Sequence, residues 1–173
     1  WQRTFDINVM GVVYGTQAFL EAMQAVSEPK FIVNVASQAS RTPYVYMSAY
    51  AASKYAVEGF TDALRTDLSV KGSNVQPISV HPGVINTNVI PNEGSGFSQK
   101  AMDNLQYKYD TKGSHPRVVA EDIVKAVLKN KTQVWSGSMA TLGYWLDKLL
   151  PKKVIAKLIA KDAIKHGFTL DMK

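Results

Sequence analysis

The sequence predicts an α/β fold built on a parallel sheet. Three short runs rich in β-branched residues, at 31–36, 75–80 and 132–135, alternate with long segments of helical period. Strands alternating with long helices imply parallel β/α units wound right-handed, because a tight hairpin cannot connect parallel neighbours. The helical segment at the start is apolar nearly all round (Val9, Met10, Val12, Val13, Phe19, Leu20, Met23). A helix of that kind is buried on more than one side.

The elements follow in order. Residues 5–25 read as that first helix, and residues 31–36 as a buried strand. Residues 37–47 form a loop with Pro43. Ser48 is the expected N-cap of a helix over 49–70, which Lys71-Gly72 stops. The second strand, 75–80, ends at His81-Pro82-Gly83. Residues 86–116 are polar and glycine-containing with only short helical possibilities, the pattern of a lid or binding loop. Pro116 opens a helix to Lys129, with Glu121 and Asp122 near its start and Lys125 and Lys129 near its end, an order that suits the helix dipole. A third short strand covers 132–135. Residues 140–166 are helical with a break at Pro151.

The chain has 173 residues, 46% hydrophobic and 20% charged, enough for one domain with a core. With no cysteine it has no disulfides, thiolate metal sites or cysteine nucleophiles, and no metal is expected. The net charge of +6 is concentrated in the lysine-rich segment 148–165. No aromatic-interleaved basic patch of the nucleic-acid kind is present, and no apolar run is long enough to span a membrane. The N-terminus has neither an initiator Met nor a signal-peptide pattern, so the chain is expected to be part of a longer protein whose upstream portion is absent. The expected location is cytoplasmic, with membrane association as the alternative.

Chemistry enters with Tyr50-Ala51-Ala52-Ser53-Lys54. Residues four apart share a helix face, so the Lys54 ammonium can lie beside the Tyr50 phenol. A neighbouring ammonium favours a phenolate, and such a tyrosine can exchange a proton with an alcohol or a carbonyl. The spacing recurs at Tyr144 and Lys148, but Ser37 stands thirteen residues before Tyr50 whereas Lys131 stands thirteen before Tyr144. Tyr144 and Lys148 therefore read as part of an amphipathic surface helix. In parallel sheets the site lies beyond the carboxyl ends of the strands. That rule brings Ser37, Tyr50, Lys54 and the turn after Gly83 to one edge.

Four segments, in order, resemble the short-chain dehydrogenase/reductase family. Asp6-Ile7-Asn8-Val9-Met10-Gly11 is similar to the family's helix with its active-site Asn, here Asn8. Residues 32–37 resemble the strand ending in the catalytic serine, Ser37; Tyr50 to Lys54 matches the tyrosine–lysine motif. Pro82-Gly83-Val84-Ile85-Asn86-Thr87 matches the turn that holds the nicotinamide carboxamide. The resemblance covers residues 1–137 and implies the C-terminal part of a Rossmann-like, doubly wound domain, with 138–173 as a helical extension. It implies hydride transfer between NAD or NADP and a carbonyl or secondary alcohol. Ser37 would polarise the substrate oxygen, Tyr50 deliver the proton and Lys54 hold the nicotinamide ribose. Asn8 would anchor a water, and Pro82, Gly83, Ile85 (through its N–H) and Thr87 would contact the cofactor. The family's glycine-rich phosphate loop lies upstream, and no such run occurs in the 173 residues.

Each residue also has a structural alternative. Ser37 could tie down the strand end, Tyr50 could be an interface aromatic, Lys54 a solvated charge, Asn8 a backbone bridge and Thr87 a helix cap. The alternative function is a non-catalytic fragment or oligomerisation module. In the family such helices pair between subunits, and Ala51, Ala52, Ala56 and Gly59 permit close approach, so a homodimer or homotetramer is expected. Apolar points in 88–115 (Val89, Ile90, Phe97, Met102, Leu105, Tyr107, Tyr109) suggest a small, moderately apolar alcohol or ketone. Lysines and apolar residues across 144–165 also fit a peripheral membrane contact.

Overall fold

A computed structural model describes residues 1–87 and 99–168. The elements are α1 (Gln2–Phe5), a π-helical turn (Asp6–Met10), α2 (Gly11–Gln24), β1 (Lys30–Val35), a 3-10 turn (Gln38–Ser40), α3 (Ser48–Val70), β2 (Val75–Pro82), α4 (Gln99–Lys112), α5 (Pro116–Leu128), β3 (Gln133–Ser136), α6 (Ala140–Leu149) and α7 (Lys152–Lys165). The sheet has order β1-β2-β3 and both pairings are parallel. Val35 pairs with Val80, and Pro82 with Ser136, so the three strands end along one edge.

Alternation along the strands sorts side chains to two faces. Ile78, Val80 and Val134 pack with Ala126 of α5, and Phe31, Val33, Val119, Ile123 and Val127 close that side. On the opposite face Asn34 donates to Thr61 Oγ1 of α3 at 3.0 Å, and Thr61 and Val57 are fully buried. Helices therefore cover both faces, as the α/β prediction requires.

Four boundaries differ from expectation, each for a physical reason. The first helix is continuous from Gln2 to Gln24 but widens to a π turn at Asp6–Met10, a distortion that period alone does not announce. Ser48 is the first helical residue of α3 rather than its cap; Met47 precedes it without a side-chain capping bond. β2 runs two residues further, through His81 and Pro82, because these pair with Trp135 and Ser136. Residues 99–112 form a fourteen-residue helix, not a loop. Its sequence is polar, but Ala101 packs with Ala163 and Phe168, and Asn104 Nδ2 donates to the His166 carbonyl at 2.7 Å. Tertiary contact supplies what local propensity lacks.

Candidate active site

β1 leads directly into the site. After Val35 the chain turns at Ser37, whose Oγ accepts from the Ala39 N–H at 3.1 Å and caps the 3-10 turn. That bond uses a lone pair, so the Ser37 hydroxyl proton stays free to donate. The Ser37 carbonyl accepts from Ser40 Oγ at 2.8 Å and lies 3.4 Å from His81 Nδ1. Ser40 is therefore committed to holding the turn. His81 is fully buried, stacks on Trp135 at 4.1 Å and has Nε2 3.2 Å from Ser79 Oγ. Burial pushes its imidazole below the usual range, which favours the neutral ring.

α3 delivers the tyrosine and the lysine. Tyr50 sits in its first turn, and Lys54 Nζ lies 5.8 Å from the Tyr50 ring centroid. Lys54 Nζ donates to the Val35 carbonyl at 2.9 Å, which pins it to the end of β1. Desolvation by burial lowers its pKa from the ordinary lysine value. Asn8, inside the π turn, donates through Nδ2 to Ser53 Oγ at 3.0 Å, and Ser53 Oγ donates to the Tyr50 carbonyl at 2.7 Å. This relay ties the first helix to the turn that carries Tyr50.

β2 supplies the third wall. Gly83 donates to the Ser136 carbonyl at 2.9 Å, Val84 to the Ser138 carbonyl at 2.8 Å, and Asn86 to the Ser114 carbonyl at 2.9 Å. No described residue accepts from the Ile85 N–H between them. A Cβ at Gly83 would lie 1.9 Å from the Ser138 oxygen and 3.0 Å from Gln38 Oε1. Thr87 closes the described part of this turn. Val89, Ile90 and Phe97 lie outside the described residues, whereas Met102, Leu105, Tyr107 and Tyr109 fall on α4.

Asn8, Tyr50 and Lys54 are thus joined through Ser53 and the β1 terminus, with Ser37 two residues beyond Val35 and the Gly83 turn beside it at the end of β2. Two contributors, Ser53 and Gln38, were not singled out from the sequence, and Tyr109 was named there only as an apolar point. Ser53, with no exposed surface, is the hydrogen-bond hub between Asn8 and Tyr50; its position within the Tyr50–Lys54 segment was the available signal. Gln38 fills the gap left by Gly83 and Gly143, a role visible only in three dimensions. Tyr109 on α4 has its phenol pKa raised by burial and by neighbouring Tyr50, which brings α4 to the same site. Tyr144, by contrast, packs on Trp135 at 5.0 Å with Lys148 Nζ 4.7 Å from its ring centroid. That second tyrosine–lysine pair braces α6 against β3.

A family model described as short chain dehydrogenase matches residues 1–96. The putative oxidoreductase SadH of Mycobacterium tuberculosis is 35% identical over 137 residues, covering 79% of this chain and 49% of SadH. A dehydrogenase/reductase SDR family protein 7-like from Anopheles gambiae is 33% identical over 152 residues, covering 86% and 46% respectively. The chain thus spans less than half the length of these relatives. Among solved structures, a short chain dehydrogenase/reductase from Burkholderia phymatum in complex with NAD superposes with a TM-score of 0.65 at 26% identity, over 75% of this chain and 50% of the other. A short chain dehydrogenase from Burkholderia cenocepacia in complex with NADP shares the fold with a TM-score of 0.68 at 23% identity, over 89% and 58%. With more than half of its length matched by the family model, the chain belongs to the short chain dehydrogenase family.

Proposed function

We propose that this chain carries the catalytic part of an NAD(P)-dependent oxidoreductase acting on a carbonyl or secondary alcohol. The observation that carries the reading is the placement of Lys54 against both the Tyr50 ring and the β1 terminus, with Asn8 linked to the same turn through Ser53. The residues fit the nicotinamide end of the cofactor. Lys54 offers an ammonium, Ile85 an N–H without a described acceptor, and Gly83 the tight backbone that shapes the turn. Pro82 and Thr87 flank that turn. The phosphate end has no glycine-rich cradle in these 173 residues.

When bound, the cofactor supplies the hydride. The chain's own residues hold and move protons. Ser37 donates its free hydroxyl hydrogen to the substrate oxygen and polarises it. Tyr50 gives its phenolic proton to that oxygen in reduction and recovers it in oxidation. The Lys54 ammonium favours the resulting phenolate. Asn8, on the π turn, positions Ser53 and hence the Tyr50 turn, and it anchors a water that leads protons to Lys54. Tyr109 forms part of the wall facing the substrate, which is moderately apolar. Residues 1–137 form the catalytic part and 138–173 a helical extension.

The test is Tyr50→Phe in a protein in which this chain is joined to its cofactor-binding half. Turnover should fall by at least about a thousandfold, while cofactor affinity by fluorescence titration stays within a few-fold. Turnover near that of the unaltered protein would sink the proposal.

One observation favours a second reading, an oligomerisation module without cofactor chemistry. Trp1, Ile7, Tyr14 and Phe19 are all more than half exposed along α1, the π turn and α2. That apolar surface wants a cover, and a homodimer or homotetramer would supply one. Cofactor binding by the joined protein separates the two readings.

A further inference from the structure

We propose that α6 and α7 dock this chain on an anionic phospholipid surface, with Leu142, Trp145 and Leu149 entering the headgroup layer and four lysines of α7 lying over the lipid phosphates. The proposal is independent of the catalytic reading. Leu142, Trp145 and Leu149 are 49%, 50% and 71% exposed. At spacings of three and four they share one side of α6. Tryptophan with leucine on an outward helix face is the composition of an interfacial helix.

α7 supplies the charge. Ile155 and Ala163 anchor it, at 4% and 1% exposure. Lys153, Lys157, Lys161 and Lys165 recur every four residues on the exposed side. None of the four has a carboxylate partner among the described residues. The acids of these two helices already have other partners. Asp147 pairs with Lys152 and lies 3.9 Å from Arg41, and Asp162 accepts from Tyr44 at 3.1 Å and Lys108 at 3.2 Å. Like charges four apart repel along a helix in water, so a surface of phosphates relieves a cost that solvent leaves standing. Charge also argues against a second copy as the occupant, because face-to-face pairing would oppose two lysine rows. Among the described residues no helix is long and apolar enough to cross a membrane, so the contact lies on the surface.

The test is co-sedimentation of the chain with phosphatidylcholine vesicles, with and without phosphatidylserine at about a third of the lipid, at low and high salt. Partitioning should require phosphatidylserine and weaken as salt screens the exposed charges. Neutralising Lys153, Lys157 and Lys161 together to Gln should reduce it by about a hundredfold, at about fivefold per lysine. Trp145→Ser with Leu149→Ser should reduce it as well and abolish a blue shift of tryptophan emission. All these side chains are exposed, so unchanged melting curves verify folding. Three outcomes of the vesicle assay overturn the proposal: no binding to phosphatidylserine vesicles, equal binding to phosphatidylcholine alone, or full binding by the Trp145 and Leu149 double variant. A dimer in light scattering that the lysine substitutions strengthen and vesicles fail to dissociate would also overturn it, in favour of a second copy.

Discussion

Gly83→Ala isolates the packing of the strand-end turn. Gly83 does not occupy the left-handed region, so alanine is allowed by the backbone and should stabilise by about 0.4–1 kcal/mol through the unfolded chain. Contact reverses that sign. The new Cβ would sit 1.9 Å from the Ser138 oxygen and 2.7 Å from the Ala140 nitrogen. Both are backbone atoms, and they must retreat by roughly 1 Å to reach ordinary contact. The Ser138 oxygen also accepts from Val84 at 2.8 Å, so its retreat costs that bond, about 1 kcal/mol. Overpacking adds about 1–3 kcal/mol. The net loss is about 2–3 kcal/mol, a fall in Tm of roughly 5–10 °C for a chain of this size. Gly15→Ala is the control. Nothing lies within 4 Å of its added Cβ, and it sits within α2, so it should gain about 1 kcal/mol and raise Tm by a few degrees. Thermal melts of both variants by circular dichroism decide the matter. An unchanged or raised Tm for Gly83→Ala would refute the steric argument.

Two further predictions concern charges that burial makes costly. Lys54→Met should abolish the proposed turnover and yet raise Tm modestly at neutral pH, because burial disfavours the ammonium, a gain partly offset by the lost bond to the Val35 carbonyl. Its folded pKa lies below the unfolded value of 10.5, so the unfolded chain binds the extra proton between those two pKa values and stability rises with pH there. The Tm gap between variant and parent should therefore shrink as pH climbs toward 10.5; a gap that widens contradicts it. Arg41→Ala should cost about 3–5 kcal/mol by urea titration. It strips the 2.5 Å and 3.1 Å bonds from Glu58, a carboxylate only 1% exposed, and leaves a buried charge without a partner; a loss below about 1 kcal/mol would show that water reaches Glu58.

The strands, the long helices and the Tyr50–Lys54 pairing were legible because each rests on local period or spacing. Beyond those local signals, tertiary contacts set the details. α4 was unreadable because its polar segment becomes helical by resting on Ala163 and Phe168, far along the chain. The π turn around Asn8 leaves no mark in composition, yet Asn8 Nδ2, on that turn, reaches Ser53 across forty-five residues of sequence. Two tyrosine–lysine pairs share one spacing, and Ser37 upstream of the first already set it apart in the sequence. Packing supplied the contacts: Lys54 bonds to the end of β1, while Lys148 lies against a ring wedged on Trp135. By itself the sequence determined which residue types recur at helical and strand spacing, and hence the α/β class and the candidate chemistry. Only the tertiary structure decided which carbonyl Lys54 meets, which serine is free to donate and which faces remain uncovered, because those depend on contacts between segments that no local pattern encodes.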